Sequence, residues 1–211
     1  MNAAALRDVT PAAHLPHQAE RAGEKPAWTY AELCGRIAEL TSPEASATLT
    51  LAFALVFSAQ KKGEPAAWIT SPDSTFFPPD VDEGGVDLSA LTVVRVPDAH
   101  ASARAADRLL RSGAFGLIVL DLGESAKIPL ALQSRLLSLA QTHAAALLCL
   151  TEKLDRSATP VFGSLASLRC EASRTRVGDD RFRCEVEAVK DKRRAPGWTH
   201  AEVCRGPAGI R

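Results

Sequence analysis

Apolar residues along this chain fall into two kinds of block. Short, nearly unbroken runs alternate with longer stretches in which apolar positions recur every three or four residues. The short runs predict strands at 35–40 ("GRIAEL"), 66–70 ("AAWIT"), 91–96 ("LTVVRV"), 115–121 (a run closing on Asp121) and 145–151 (within "AAALLCLT"). Between them, "TLTLAFALVFSAQKKG" reads as an apolar helix that turns polar at Gln60, Lys61 and Lys62 and stops at Gly63. Asp98 caps "AHASARAADRLLRSG", whose stripe is Ala105, Leu109 and Leu110 and whose stop is Gly113. Pro129 opens a further helix through about His143. "DSTFFPPDVDEGG", with two prolines and two glycines, reads as a loop. Strand and helix alternating in this way specify an α/β fold: a mostly parallel twisted sheet with helices on both faces.

After Thr159 the pattern changes. "SLASLRCEA", "RFRCEVEAV" and "THAEVCRG" alternate with period two and are joined by "RVGDD" and "RAPGW" turns. They predict C-terminal antiparallel strands near 164–172, 180–190 and 199–205 added to the parallel core.

With 211 residues, 46% of them hydrophobic, the chain suits one domain over 28–211. Residues 1–27, rich in Ala, Pro and His and without a period, read as a flexible N-terminal arm. No segment reaches the ~18 apolar residues of a membrane span, and no apolar stretch of a secretion signal is present near His14, His17 and Arg21. Five cysteines form no C-x-x-C pair, and three lie in apolar or alternating runs; free thiols in a reducing cytoplasm are the expectation. Net charge is zero but uneven. Residues 169–211 hold eleven Arg and Lys against seven Asp and Glu, or +4, leaving fourteen against eighteen, or −4, for the remainder. A basic C-terminal third fits either a polyanionic or acidic partner or a solvated charged face.

Several stretches, in order, resemble the RecA recombinase core. "GRIAEL-TSPEASATLTL" is similar to that family's strand, phosphate loop and helix, with Pro43 and Glu44 kept. "LLRSGAFGLIVLDL" is similar to its helix, turn and Walker B strand, and "EVEAVKDKRRAPGWTHAEVCRGPAGI" to its closing hairpin, including Lys190, Lys192, Ala195 and Pro196. The resemblance runs from Gly35 to Ile210 and implies a RecA-like core.

Against that resemblance the phosphate loop is degenerate. A working loop closes glycine N–H groups on phosphate, reaches the β/γ oxygens with lysine and holds Mg²⁺ with a hydroxyl. In register with those positions stand Ser42, Ala47, Thr48 and Leu49. The nearest remnants are Pro43, Glu44, Ser46, Thr50 and the Walker B acid Asp121, while Pro72, followed by Asp73, takes the place of the water-positioning glutamate. ATP and Mg²⁺ are not expected to bind tightly, no catalytic or metal-binding residues are assigned, and Asp121 reads as a strand-end hydrogen-bonding residue or a relic of catalysis. The family's long DNA-binding loop is shortened to "EKLDRSATPVFG".

Among short members the chain looks most like the ImuA family, RecA-like accessories of bacterial error-prone lesion bypass. That resemblance implies a role in the DNA-damage (SOS) response and translesion synthesis. It implies as partners DNA, RecA, an ImuB-like protein and an error-prone polymerase subunit. A DNA-stimulated ATPase with an unorthodox site and a SulA-like inhibitor are the alternatives. Lys190, Lys192, Arg193 and Arg194, with Trp198 beside them, form the densest basic cluster. They read as a phosphate-binding hairpin whose indole stacks on a base, or as a solvated tip whose tryptophan packs on the sheet. Phe76 and Phe77 mark a partner patch or a loop tucked over the sheet. The five histidines show no ligand or triad spacing.

Thr48→Lys alone is expected to create no robust ATPase activity, because Ser42, Ala47, Leu49 and Pro72 still oppose loop closure, metal ligation and water activation. A turnover assay checks it; hydrolysis by the wild type at a rate typical of RecA-like enzymes, abolished by Asp121→Ala, would contradict it.

Overall fold

The computed structural model describes residues 28–42, 47–72, 74, 76, 78–123, 127–152 and 160–205. The N-terminal arm and Pro43, Glu44 and Ser46 lie outside these residues. The elements run α1 (Tyr30–Leu33), β1 (Ile37–Ser42), α2 (Thr48–Gln60), β2 (Ala66–Thr70), α3 (Pro78–Glu83), β3 (Leu91–Arg95), α4 (Ala99–Ser112), β4 (Leu117–Asp121), α5 (Leu130–Thr142), β5 (Ala146–Glu152), β6 (Leu168–Arg176), β7 (Arg181–Asp191) and β8 (Thr199–Arg205). All eight strands join one sheet in the order β3-β2-β4-β5-β1-β6-β7-β8.

Alternation along each inner strand divides the core into two layers. Ala66 and Trp68 of β2, Leu117 and Val119 of β4, and Ala146, Leu148 and Leu150 of β5 face the layer that α2 fills with Leu51, Leu55 and Val56. Ala67 and Ile69, Ile118 and Leu120, and Leu147 and Cys149 face the other layer, where α4 places Ala103, Ala106 and Leu110 and α5 places Leu136 and Ala140. Strands buried on both faces carry almost no polar residue, which is why their runs look continuous in the sequence.

The ends of α4 follow local chemistry. Asp98 Oδ1 accepts a hydrogen bond from the Ala101 N–H at 2.7 Å, and Gly113 closes the helix at φ +65°. A side chain at Gly113 would also meet His143 at 3.1 Å. Among the described residues no helix is long and apolar enough to cross a membrane. All five cysteines are free, and Cys149, Cys170 and Cys184 are buried.

Three expectations are corrected. The stretch read as a loop over 73–85 contains α3, because prolines at 78 and 79 occupy a first helical turn that needs no N–H donors, and Val81 anchors the helix in the core. The first of the three C-terminal strands is antiparallel on one edge only: β6 begins at Leu168 rather than near 164 and pairs antiparallel with β7 but parallel with β1, while β7 pairs antiparallel with β8. A short N-terminal helix, α1, was not anticipated. It is tied to α2 by the Tyr30 N–H donating to Ser58 Oγ at 3.2 Å, and just ahead of it Trp28 Nε1 donates to the Leu51 carbonyl at 2.8 Å.

Phe76 is tucked over the sheet rather than presented to a partner. Its ring lies 5.7 Å from Trp68, which stacks on Phe53 at 4.5 Å. Trp68 is fully buried, and its Nε1 has no hydrogen-bond partner among the described residues. Trp68→Ala is expected to destabilise by about 3–5 kcal/mol. Trp68→Phe should cost much less, because it also removes an orphaned buried N–H. Urea unfolding of both variants checks the difference.

Candidate nucleic-acid interface

Two places could meet an anionic partner. The first lies at the carboxyl ends of β1 and β4. Ala47 precedes α2 at φ −93°, ψ 6° and supplies no side-chain cap; its carbonyl accepts the Leu51 N–H at 2.9 Å. Thr48, where a phosphate-reaching lysine would stand, is 7% exposed, and Leu49 packs against the α2-side core. Thr50, one position on, is exposed. The first turn of α2 has thus been turned toward packing, and it offers neither the reach nor the charge to neutralise a triphosphate.

Asp121 ends β4. Its Oδ2 accepts hydrogen bonds from Thr70 Oγ1 at 2.8 Å and Ser74 Oγ at 2.7 Å. The parallel register that sets Ile69 beside Leu120 puts Thr70 next to Asp121. Ser74 in turn accepts from the Phe76 N–H at 3.1 Å. The carboxylate therefore fastens the chain leaving β2.

The second place is the connection between β7 and β8. Arg36, just ahead of β1, forms a buried ion pair with Asp191 at the end of β7; their side chains are 3% and 1% exposed. Arg36 also donates from Nε to Ser167 Oγ at 2.9 Å and from Nη2 to the Ser167 carbonyl at 3.0 Å. Asp191 further accepts the Arg193 N–H at 2.9 Å and Trp198 Nε1 at 3.1 Å. Both charges are thus surrounded by fixed dipoles, the condition under which a buried pair holds together despite its desolvation cost.

Around this anchor the four cations do not project freely as expected from a tight turn. Lys190 Nζ donates to the Gly163 and Ser164 carbonyls at 3.3 and 3.4 Å, and Lys192 Nζ to the Ser164 carbonyl at 2.7 Å. Arg193 donates to the Glu32 and Cys34 carbonyls at 3.2 and 2.8 Å, and Arg194 pairs with the Glu32 carboxylate at 3.1 Å. The physical reason is that the turn at Gly163 and Ser164 and the end of α1 present carbonyls to the hairpin, and its cations supply donors to them. Desolvation and the neighbouring Lys192 hold the Lys190 ammonium below the usual lysine value; desolvation and Arg36 act alike on Arg193. Lys192 and Arg193 nonetheless remain exposed, so their outer surfaces stay open to an anion. Trp198 is half-buried against the core and bonded to Asp191.

Sequence reasoning gathered Lys190, Lys192, Arg193, Arg194 and Trp198 correctly into one locality but missed the groups that organise it: Arg36, Asp191, Glu32 and Ser167. Arg36 carried a usable signal, a charge placed at the mouth of an apolar strand.

A profile of the RecA N-terminal domain matches residues 31–159. Protein RecA of Bifidobacterium breve is 40% identical over 87 residues, covering 41% of this chain and 22% of that protein. Protein RecA of Leifsonia xyli subsp. xyli is 34% identical over 115 residues, covering 49% of this chain and 32% of that protein. Protein RecA of Picosynechococcus sp. is 33% identical over the same length, 49% and 33% respectively. The chain thus spans between 22% and 33% of the length of these relatives.

Removing either member of the buried pair leaves an unmatched charge. Asp191→Ala and Arg36→Ala are each expected to cost about 3–5 kcal/mol, and Arg36→Met with Asp191→Leu less than the sum of the two. A double-mutant cycle by chemical denaturation checks it.

Proposed function

The chain belongs to the RecA N-terminal domain family, and on that footing we propose that it is a RecA-like accessory in DNA-damage tolerance rather than a hydrolysing recombinase. Residues 28–211 would act as one RecA-like unit, with 1–27 as an arm. The finer assignment is to the ImuA type, a partner of DNA, RecA and an ImuB-like, error-prone polymerase assembly in translesion synthesis. The observation that carries the reading is the pairing of two features: a buried Thr48 where phosphate chemistry needs an exposed lysine, beside a cationic hairpin built on a rigid anchor. Such a molecule keeps a family surface for polyanions while giving up the electrostatics of triphosphate cleavage.

In this reading Lys190, Lys192, Arg193 and Arg194 exchange backbone carbonyls for phosphate oxygens. A charge-assisted bond to a phosphate is stronger than one to a neutral carbonyl, so DNA can compete for these donors. Asp191 stays bonded to Arg36 throughout and fixes the position from which the cations reach. Trp198 stacks on a base only if it leaves Asp191, so its contribution should be smaller than that of the arginines.

Binding to single-stranded DNA is expected to weaken with salt at a log–log slope of about −0.7 per phosphate contact, or about −0.9 on duplex. Arg193→Ala with Arg194→Ala should flatten the slope by roughly one to two units, with a stability loss of about 1–3 kcal/mol, since both side chains also bond α1 and the residue after it. A salt titration alongside a melting curve tests this. An unchanged slope, or a variant that unfolds, would return the hairpin to a purely structural role.

A further inference from the structure

α4 and α5 lie together over the sheet, and on their outer surface the described residues leave part of the arginine charge unanswered. The two helices hold four arginines, Arg104, Arg108, Arg111 and Arg135, against one carboxylate, Asp107. Asp107 is already shared: its Oδ2 lies 3.1 Å from Arg111 Nε, and its Oδ1 lies 2.7 Å from Arg135 Nε in a contact too bent to be a hydrogen bond. Arg104 and Arg108 are exposed, four residues apart on α4, and form no ion pair with any described residue. Like charges at that spacing oppose the helix that carries them, so the stripe is not there for folding. It also stands out from a part of the chain, residues 1–168, whose net charge is negative.

Beside the arginines the surface is apolar. An open groove of about 440 Å³ between the two helices is lined by His100, Arg104, Pro129, Ala131, Leu132 and Arg135. Leu130, at the start of α5, is 69% exposed, more than any other large hydrophobic residue described. An apolar floor beside Arg104 and Arg108, which pair with no described carboxylate, and Arg135, which shares Asp107 with Arg111, is complementary to one kind of occupant: an apolar side chain flanked by carboxylates. A nucleic-acid backbone would answer the charges but leave Leu130 and Leu132 in water.

We propose that the α4–α5 groove docks an acidic, amphipathic segment of a partner protein, which sets apolar side chains on Pro129, Leu130 and Leu132 and carboxylates against Arg104, Arg108 and Arg135. The site is separate from the basic hairpin. α4 and α5 cover the half of the sheet that holds β2 and β4, whereas β7 and β8 close the opposite edge. The protein could then hold DNA and a protein partner at once.

Fluorescence anisotropy with the full chain tests this, using a short labelled peptide of glutamates with leucines at helical spacing. Three probes serve as comparisons: the same peptide with every Glu replaced by Gln, the same with every Leu replaced by Ser, and oligo-dT. The acidic peptide should bind, both peptide controls should bind much more weakly, and affinity should fall as salt rises. Arg104→Glu with Arg108→Glu should weaken peptide binding by roughly tenfold or more, and Leu130→Ser by several-fold. Arg193→Ala with Arg194→Ala should leave it unchanged. Because Arg104 and Arg108 are exposed, the charge-reversed protein should melt like wild type; if it does not, Arg104→Gln with Arg108→Gln gives the same reading. The proposal is overturned if the Gln peptide binds as well as the Glu peptide, or if the arginine variants leave the affinity unchanged. It is also overturned if those variants lose oligo-dT and not the peptide, which would make the groove a nucleic-acid surface.

Discussion

The ion pair between Arg36 and Asp191 constrains more of this molecule than any other single contact. Arg36 sits one residue before β1, Ser167 one residue before β6, and Asp191 ends β7, so three neighbouring strands are fixed to one another at a single end. Two opposite charges removed from water hold together only if their remaining donors and acceptors are matched. Here the guanidinium also reaches both oxygens of Ser167, and the carboxylate takes the Arg193 N–H and the Trp198 indole. The same arrangement dictates how the basic turn leaves the sheet: Arg193 and Arg194 come out facing α1, where the carbonyls of Glu32 and Cys34 and the Glu32 carboxylate receive them.

Much of the parallel core was legible because its signals are local. The strands at Ala66–Thr70 and Thr199–Arg205 match their sequence patterns from end to end, and α4 lies between the Asp98 and Gly113 that bound it in the sequence. What escaped was non-local. The alternation of Leu168, Cys170 and Ala172 reports that one face of β6 is buried, but it says nothing of the direction of the neighbouring strand, and β6 runs parallel to β1. Nothing local marks Asp191, which sits among basic residues, because its partner lies 155 residues away. The helix α3 was hidden by prolines, which mark a loop by composition yet also suit a first helical turn.

At the candidate site the sequence disclosed missing chemistry more readily than what replaced it. The absent glycines and lysine were plain in "TSPEASATLTL", whereas the packing of Thr48 and Leu49 into the core follows from how α2 lies on the sheet. Asp121 could be read as a strand-end acid, but its hydroxyl partners on the chain leaving β2 could not. A carboxylate at a strand end needs donors, and here the scaffold supplies them.

The place of β1 in the sheet has a consequence for the order of assembly. Ile37 pairs beside Leu147 and Ala38 beside Leu168, so the strand made first lies between two of the strands made late. During synthesis β2, β3 and β4 can come together in turn, while β1, with Ile37 and Leu40 fully buried in the finished protein, has neither neighbour until β5 and β6 leave the ribosome. An apolar strand waiting with both edges open is a template for pairing with other chains. The long closure that ends this wait makes folding slow for the molecule's size. The polar Glu39 within that strand, buried in the native sheet, interrupts its apolar surface during the interval.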